Sequence, residues 1–216
     1  MRVLVYSDVH GNLPAFESML SHAGPCDQYV CLGDLVNYGP WGDECVDLAL
    51  SLPRTTVLMG NHEEAFLQGA YPGKNELVKQ FFSVTHPRFR SMDKIAGFQK
   101  DCRLGEFLCR HTILDRYIYP DTSIALDGNY IIGHSHHQFK YTNNGFTLYN
   151  TGSVGQDRKR INVCNYLLYD TESRAVSLRK ALYPLDKLIR AMESLHYPAE
   201  CLAYYLNKET AKSPLQ

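Results

Sequence analysis

Three short apolar runs, Val3–Tyr6, Gln28–Leu32 and Thr55–Met59, recur at near-equal intervals with helical stretches between them. No other feature of the 216-residue chain constrains its fold as much. Strands joined by helices pair in parallel through right-handed crossovers, so the pattern predicts an α/β architecture. Pro14 suits the first turn of a helix running to about His22, and Asp43–Ser51 reads as a second helix. Each strand is followed at once by a polar residue, in Ser7-Asp8, Gly33-Asp34 and Gly60-Asn61. Ligands of open parallel sheets bind outside the carboxyl ends of the strands, which places Asp8, Asp34 and Asn61 on one rim.

The remainder is more helical at first and then strand-rich. Leu77–Val84 and Arg90–Lys100 read as helices. Glu106–Cys109, Tyr130–Ile132, Phe139–Thr142, Phe146–Tyr149, Val163–Tyr169 and Ala175–Leu178 read as strands, and Leu185–Leu195 and Ala199–Leu206 as closing helices. Asn143-Asn144-Gly145 is a tight-turn sequence between two of those strands. No repeat, low-complexity tract or linker interrupts the chain, so residues 1–216 are expected to form one domain.

Ligand-type residues fall into five clusters: Asp8-Val9-His10, Gly33-Asp34 with Asn37, Gly60-Asn61-His62-Glu63, His111, and Gly133-His134-Ser135-His136. Asp8 and His10 are two apart, as are His134 and His136, so an extended chain would point each pair to one face. Asp34 carries two oxygens and can bridge two cations, while Asn61 offers a neutral oxygen. Mixed nitrogen and oxygen donors suit manganese, iron, cobalt, nickel or zinc better than calcium or magnesium. Two divalent ions bring about +4, Asp8 and Asp34 return −2, and a bridging hydroxide leaves roughly +1, which attracts an anionic ester. His62 is then spare, as an acid for a leaving group. Taken singly, each residue has a plainer reading. Asp8 could cap a helix, Asp34 and Asn61 could be turn residues, and His134, His136 and His137 could form a surface patch. Only their joint order points to a metal site.

Composition limits the function classes. Hydrophobic residues make up 44%, charged residues 21%, and the formal net charge is −1, so no basic surface suggests nucleic-acid or membrane-surface binding. Seven cysteines, with no Cys-x-x-Cys pair, read as reduced thiols rather than as a zinc knuckle. No apolar run approaches the roughly 20 residues of a membrane span, and Met1–Tyr6 reads as the start of a strand rather than a targeting peptide. The expected location is the cytoplasm.

With these motifs in place the chain resembles the calcineurin-like metallophosphoesterase superfamily, from Ser7-Asp8-Val9-His10-Gly11-Asn12 to Gly133-His134-Ser135-His136. Gly33-Asp34-Leu35-Val36-Asn37-Tyr38-Gly39-Pro40 and Gly152-Ser153-Val154-Gly155-Gln156 are similar to its small prokaryotic, phosphodiesterase-type branch. The resemblance implies a four-layer αββα sandwich and two divalent transition-metal ions. Asp8, His10, Asp34 and His136 would hold one, and Asp34, Asn61, His111 and His134 the other. It makes His62 the proton donor, kept protonated by Glu63 or Asp34. The chain departs from the family's pattern at Thr112, where glycine usually follows the histidine, and at Asp157, where proline is common. Tyr38 and Met59 stand where the protein serine/threonine phosphatases of the superfamily carry phosphate-clamping arginines.

The resulting expectation is a dinuclear phosphoester hydrolase in which Asp34 and His62 serve catalysis and a metal-bridging hydroxide attacks phosphorus. The substrate would be a small phosphodiester or nucleotide, with a phosphomonoester or dinucleoside polyphosphate as alternatives. Asn37, Arg110 and Arg158 are the candidate substrate contacts, and Tyr71, His86, Arg88 and Arg90 further ones in the 63–110 segment. A non-catalytic scaffold of the same fold is the rival class. It is disfavoured because every ligand-type residue and His62 are present together.

Overall fold

The first apolar run alternates its side chains, and that alternation builds two of the layers. A computed structural model describes residues 1–212 of the chain. In β1 (Arg2–Tyr6), Val3 and Val5 face one side and Leu4 and Tyr6 the other, all fully buried. Leu4 and Tyr6 pack against α1 (Leu13–Ala23), where Phe16 and Met19 are buried. Asn12 caps that helix by accepting the Ala15 N–H at 3.2 Å, and Pro14 stands in its first turn. β2 (Gln28–Cys31) pairs parallel to β1, α2 (Gly42–Ser51) follows, and β3 (Thr55–Val57) pairs parallel to β2.

After β3 come α3 (Asn61–Gln68), α4 (Glu76–Thr85), a single 3-10 turn (His86–Arg88) and α5 (Met92–Ile95). The second sheet uses β4 (Asp101–Leu104), β5 (Phe107–Arg110), β6 (Asn129–Ile132), β7 (Gln138–Asn143) and β8 (Phe146–Thr151). The chain then returns to the first sheet with β9 (Val163–Asp170) and β10 (Val176–Leu182). It closes with α6 (Leu185–Ser194) and α7 (Ala199–Leu206). The two five-stranded sheets have the orders β10-β9-β1-β2-β3 and β4-β5-β6-β8-β7. Between them lie Val3, Val5, Val30, Leu32, Leu58 and Leu167 from the first sheet's side, and Leu104, Phe107, Cys109 and Ile131 from the second's. Each fully buried aliphatic side chain there is worth about 1.5–3 kcal/mol, so this seam is a major source of stability.

This is the expected α/β sandwich of two sheets, with helices packed on the outer face of the first. The outer face of the second sheet is covered by residues 112–128, which form no helix. Ile113, Ile118, Ile124 and Leu126 of that segment pack on Ile132, Phe139 and Leu148. The turn between β7 and β8 forms at Asn144 and Gly145, both left-handed at φ 54° and 79°, as the sequence requires. The helix expected at Arg90–Lys100 is shorter. It spans only Met92–Ile95, after which Gln99 bridges to Leu58 and the chain enters β4. Glycine at 97 and the backbone pairing of Gln99 end the helix, overriding the apolar spacing that suggested it.

Candidate metal centre

Asp8, Asp34 and Asn61 do emerge beside one another beyond β1, β2 and β3. The loops that carry them are stitched together by backbone bonds: Asp8 N–H donates to Gly33 O at 3.0 Å, and His10 N–H to Asp34 O at 2.9 Å. The expectation that Asp8 and His10 converge through extended backbone is incorrect. Asp8, His10, Asp34, His134 and His136 all adopt left-handed conformations, with φ between 54° and 68°. Tight turns, not strand alternation, aim the donors at a common point. Close approach is also needed: a Cβ on Gly133 would lie 2.1 Å from Ser7 Oγ and 2.6 Å from Asp8 Oδ2.

Two groups of donors result, each with its ligand atoms mutually within 4.8 Å: Asp8, His10 and His136, and Asp34, His111 and His134. Asn61 joins the second through Oδ1, 3.0 Å from His111 Nε2. Asp34 lies between the groups. Its Oδ1 accepts the backbone N–H of His62 at 2.9 Å, while Oδ2 is 3.3 Å from His111 Nε2 and 3.9 Å from His10 Nε2.

The histidines are oriented from behind. Nδ1 of His10 donates to Val36 O at 3.1 Å, Nδ1 of His111 to Leu32 O at 2.9 Å, and Nδ1 of His136 to Gln156 O at 3.1 Å. A carbonyl can only accept, so each neutral ring has its proton on Nδ1 and a bare lone pair on Nε2. His10 Nε2 and His136 Nε2 face each other at 3.1 Å, lone pair to lone pair. Asp8 Oδ1 is fully buried, accepts no hydrogen bond from any described residue, and lies 3.2 Å from His136 Nε2. Around His111 Nε2 stand three acceptors: Asn61 Oδ1, Asp34 Oδ2 and, at 3.0 Å, His134 Nδ1. Burial opposes charge on His111, but Asp34, together with Asp8 and Glu63, more than offsets it and pushes its pKa up to about 10. Burial and the neighbouring His111 lower His134 to about 4. Such a nest of buried acceptors is chemically satisfied by cations.

His62 is the fifth histidine of this cluster, with a ligand-type atom within 4.8 Å of those of His10 and Asp34. Its surroundings differ. Asn37 Oδ1 accepts from Tyr38 N–H at 2.8 Å and from Thr85 Oγ1–H at 3.0 Å, which leaves the Asn37 amide nitrogen as a donor to His62 Nδ1 at 2.9 Å. Neutral His62 therefore carries its proton on Nε2. Burial lowers its pKa, with Asp34 acting against that.

Two sequence expectations change here. Asn37, 1% exposed, stands behind His62 rather than among substrate contacts. Glu63 does not serve His62 either: its carboxylate accepts the backbone N–H groups of Asp34, Leu35, Val36 and Gly60 at 2.7–3.2 Å. Burial and then Asp34 raise it to about 7, against the pull of those N–H groups.

The sequence model of the calcineurin-like phosphoesterase family matches residues 1–163. The chain belongs to that family. It is 25% identical over 217 aligned residues to an uncharacterised protein of Methanocaldococcus jannaschii, covering 86% of this chain and 89% of the other. A metallophosphoesterase from Sphaerobacter thermophilus superposes with a TM-score of 0.80 at 23% identity, over 95% of this chain and 98% of that one. A hypothetical protein from Pyrococcus horikoshii gives 0.78 at 13% identity, over 98% and 99%. At these identities the structural likeness concerns the fold alone.

Other residues of this family member take their places around the centre. Tyr38 packs edge-on to His10 with ring centroids 4.7 Å apart, and Met59 lines a neighbouring cleft, so neither offers a phosphate a charge. Arg158 lines the cavity over the donors and donates to Tyr204 Oη at 3.0 Å. Arg110 lies further out and pairs with Asp101 at 3.4 Å. Of the 63–110 candidates, Tyr71 stacks on His62, at 5.5 Å and 17°. His86 instead bonds Phe66 O, and Arg88 bonds Val84 O. Two participants were missed: Tyr117, whose ring lies 4.0 Å from that of His134, and Tyr204 on α7. Tyr117 belongs to a segment with no periodicity, and Tyr204 follows the donor motifs by almost seventy residues, so no local signal marks either.

Proposed function

We propose that the protein hydrolyses phosphoesters with two divalent transition-metal ions. Asp8, His10, Asp34 and His136 would hold one, and Asp34, Asn61, His111 and His134 the other. The observation that carries this reading is the placement of Asp34 Oδ2 between His10 Nε2 and His111 Nε2, one oxygen facing both donor groups. Bound there, two cations supply Lewis acidity for the phosphoryl oxygens and acidify the attacking water. The residues provide the rest. The Nδ1–H bonds to backbone carbonyls hold three imidazoles in register, Asn37 engages His62 at Nδ1 and so leaves Nε2 to serve the leaving oxygen, and Arg158 supplies a cation to the cavity.

A phosphodiester or nucleotide-type substrate fits best. A diester carries less charge than a monoester dianion and depends less on guanidinium forks, which Tyr38 and Met59 do not supply. The deciding experiment is a screen of metal-reconstituted protein against phosphomonoesters, phosphodiesters, cyclic nucleotides, dinucleoside polyphosphates and phosphoserine peptides. The expected result is the highest kcat/KM on a diester. Efficient peptide dephosphorylation with negligible diester cleavage would overturn the substrate class.

A further inference from the structure

Three cavities meet at one pair of residues, Asn61 and His134, which line all of them. The central one, about 110 Å³, lies over Asp34, His62 and His136. A larger cleft of about 550 Å³ runs past His111 to Lys100, Arg110, Thr112 and Leu114. A smaller one of about 230 Å³ runs along Gln68, Tyr71, Pro72 and Gly73. The larger lies within the roughly 300–1,000 Å³ usual for a ligand pocket and the smaller below it.

The two clefts are not equivalent with respect to His62. Tyr71 lies flat along the His62 ring and is shared by the central cavity and the smaller cleft. The larger cleft has neither residue and opens beside His111 instead. The oxygen that takes a proton from His62 must sit on the His62 side, so the departing group leaves along Tyr71. The group that stays on phosphorus then lies in the larger cleft. Charges there balance, Lys100 and Arg110 against Glu64 and Asp115, and Arg110 is already paired with Asp101. That lining suits a neutral, hydroxyl-bearing group, not a second phosphate.

We propose that the site holds a phosphodiester with its smaller alcohol in the Tyr71 cleft and a nucleoside-sized, uncharged group in the Arg110–Thr112 cleft. The smaller alcohol is released and the larger group retained on the phosphate. The step adds water: a water oxygen bonds to phosphorus and sheds one proton to solvent, the P–O bond to the smaller alcohol breaks, the alkoxide takes its proton from protonated His62, and His62 regains one from solvent. The products are one alcohol and one phosphomonoester. This assignment rests on the diesterase reading.

The test uses the full chain, metal-reconstituted, with the methyl ester of a nucleoside 5′-monophosphate. Both leaving groups are primary alkoxides, so intrinsic bias is small. Nucleoside monophosphate and methanol are the expected products; nucleoside and methyl phosphate, or an even mixture, would overturn the proposal. Leu114 is 64% exposed, so Leu114→Trp narrows the larger cleft without touching the core. It should lower the ratio of kcat/KM for this ester to that for a dialkyl ester with two small groups by about tenfold, the scale of a single pocket clash. An unchanged ratio argues against the assignment. In calorimetry the nucleoside monophosphate should bind at least about tenfold tighter than methyl phosphate, or 1.4 kcal/mol, and equal affinities would count against it. A protein that cleaves monoesters but no diester at all removes the diesterase reading and this proposal together. Reversed scission removes this proposal alone.

Discussion

The Asn37 amide nitrogen donates to His62 Nδ1 across 2.9 Å, and its own carbonyl oxygen is locked by Tyr38 N–H and Thr85 Oγ1–H. The amide therefore cannot turn over. It fixes which nitrogen of neutral His62 holds a proton and how the ring sits, and Asn37→Leu removes that donor without adding a charge. The variant is expected to keep its metals and lose about 10²-fold in kcat on alkyl esters, within the usual range for acid–base catalysis. Metal analysis beside steady-state kinetics checks this; an unchanged kcat would show that the tautomer is irrelevant to turnover.

His62→Ala should likewise retain both metals and lose about 10²–10⁴ in turnover on alkyl esters. Nitrophenyl esters need no proton on departure, so their loss should be much smaller. Equal losses for the two classes, or loss of a metal, would make His62 a ligand instead of an acid.

Among the described residues Asp34 is the only one whose oxygen faces both candidate donor groups, so Asp34→Asn should lower metal content from two ions per chain to one or fewer. Elemental analysis after gel filtration reads this directly. Two ions retained in the variant would remove the bridging role.

Glu63 satisfies four buried backbone N–H groups with one carboxylate. Glu63→Leu leaves them without an acceptor at about 1–3 kcal/mol each before relaxation, so a loss near 4 kcal/mol in denaturant unfolding is expected. Glu63→Gln, which still accepts, should lose less. If the two variants unfold at the same denaturant concentration, the carboxylate is not organising the Asp34 loop.

The metal-free fold should weaken as pH falls below about 6.5. His10, His62, His134 and His136 are all held below the ordinary histidine value, foremost by burial, with His134 at about 4. In that window the unfolded chain binds protons that the folded one refuses, so stability rises with pH. Glu63, raised to about 7, opposes this with a single proton between 4.5 and 7. His111, raised to about 10, is protonated in both states below its ordinary value and adds nothing there. Four groups outweigh one. Chelated protein that unfolds at the same urea concentration at pH 5 and pH 7 would contradict this.

The first sheet's three parallel strands were legible because each is a compact apolar run ended by a polar residue. The five donor clusters were legible because their residue types and order are distinctive. β4 was not: Asp101-Cys102-Arg103-Leu104 is a polar strand at a sheet edge, and only Leu104 is buried. The helix read across Arg90–Lys100 failed for a related reason, since the pairing of Gln99 with Val57 and Met59 is a tertiary contact without local signature. Asn37 and Glu63 were noticed as residues but assigned the wrong partners. Their work is done on backbone groups and on a neighbouring ring, which spacing alone does not reveal.

Left-handed backbone at Asp8, His10, Asp34, His134 and His136 costs a non-glycine residue roughly 1–2 kcal/mol at each position. Glycine alone occupies those conformations freely. At these five sites, then, losing a candidate ligand and relaxing the chain are the same substitution. A lineage with no further need of these side chains would drift toward glycine there sooner than toward alanine, and anyone wanting a sturdier version of this scaffold should begin with His10→Gly and leave His10→Ala aside.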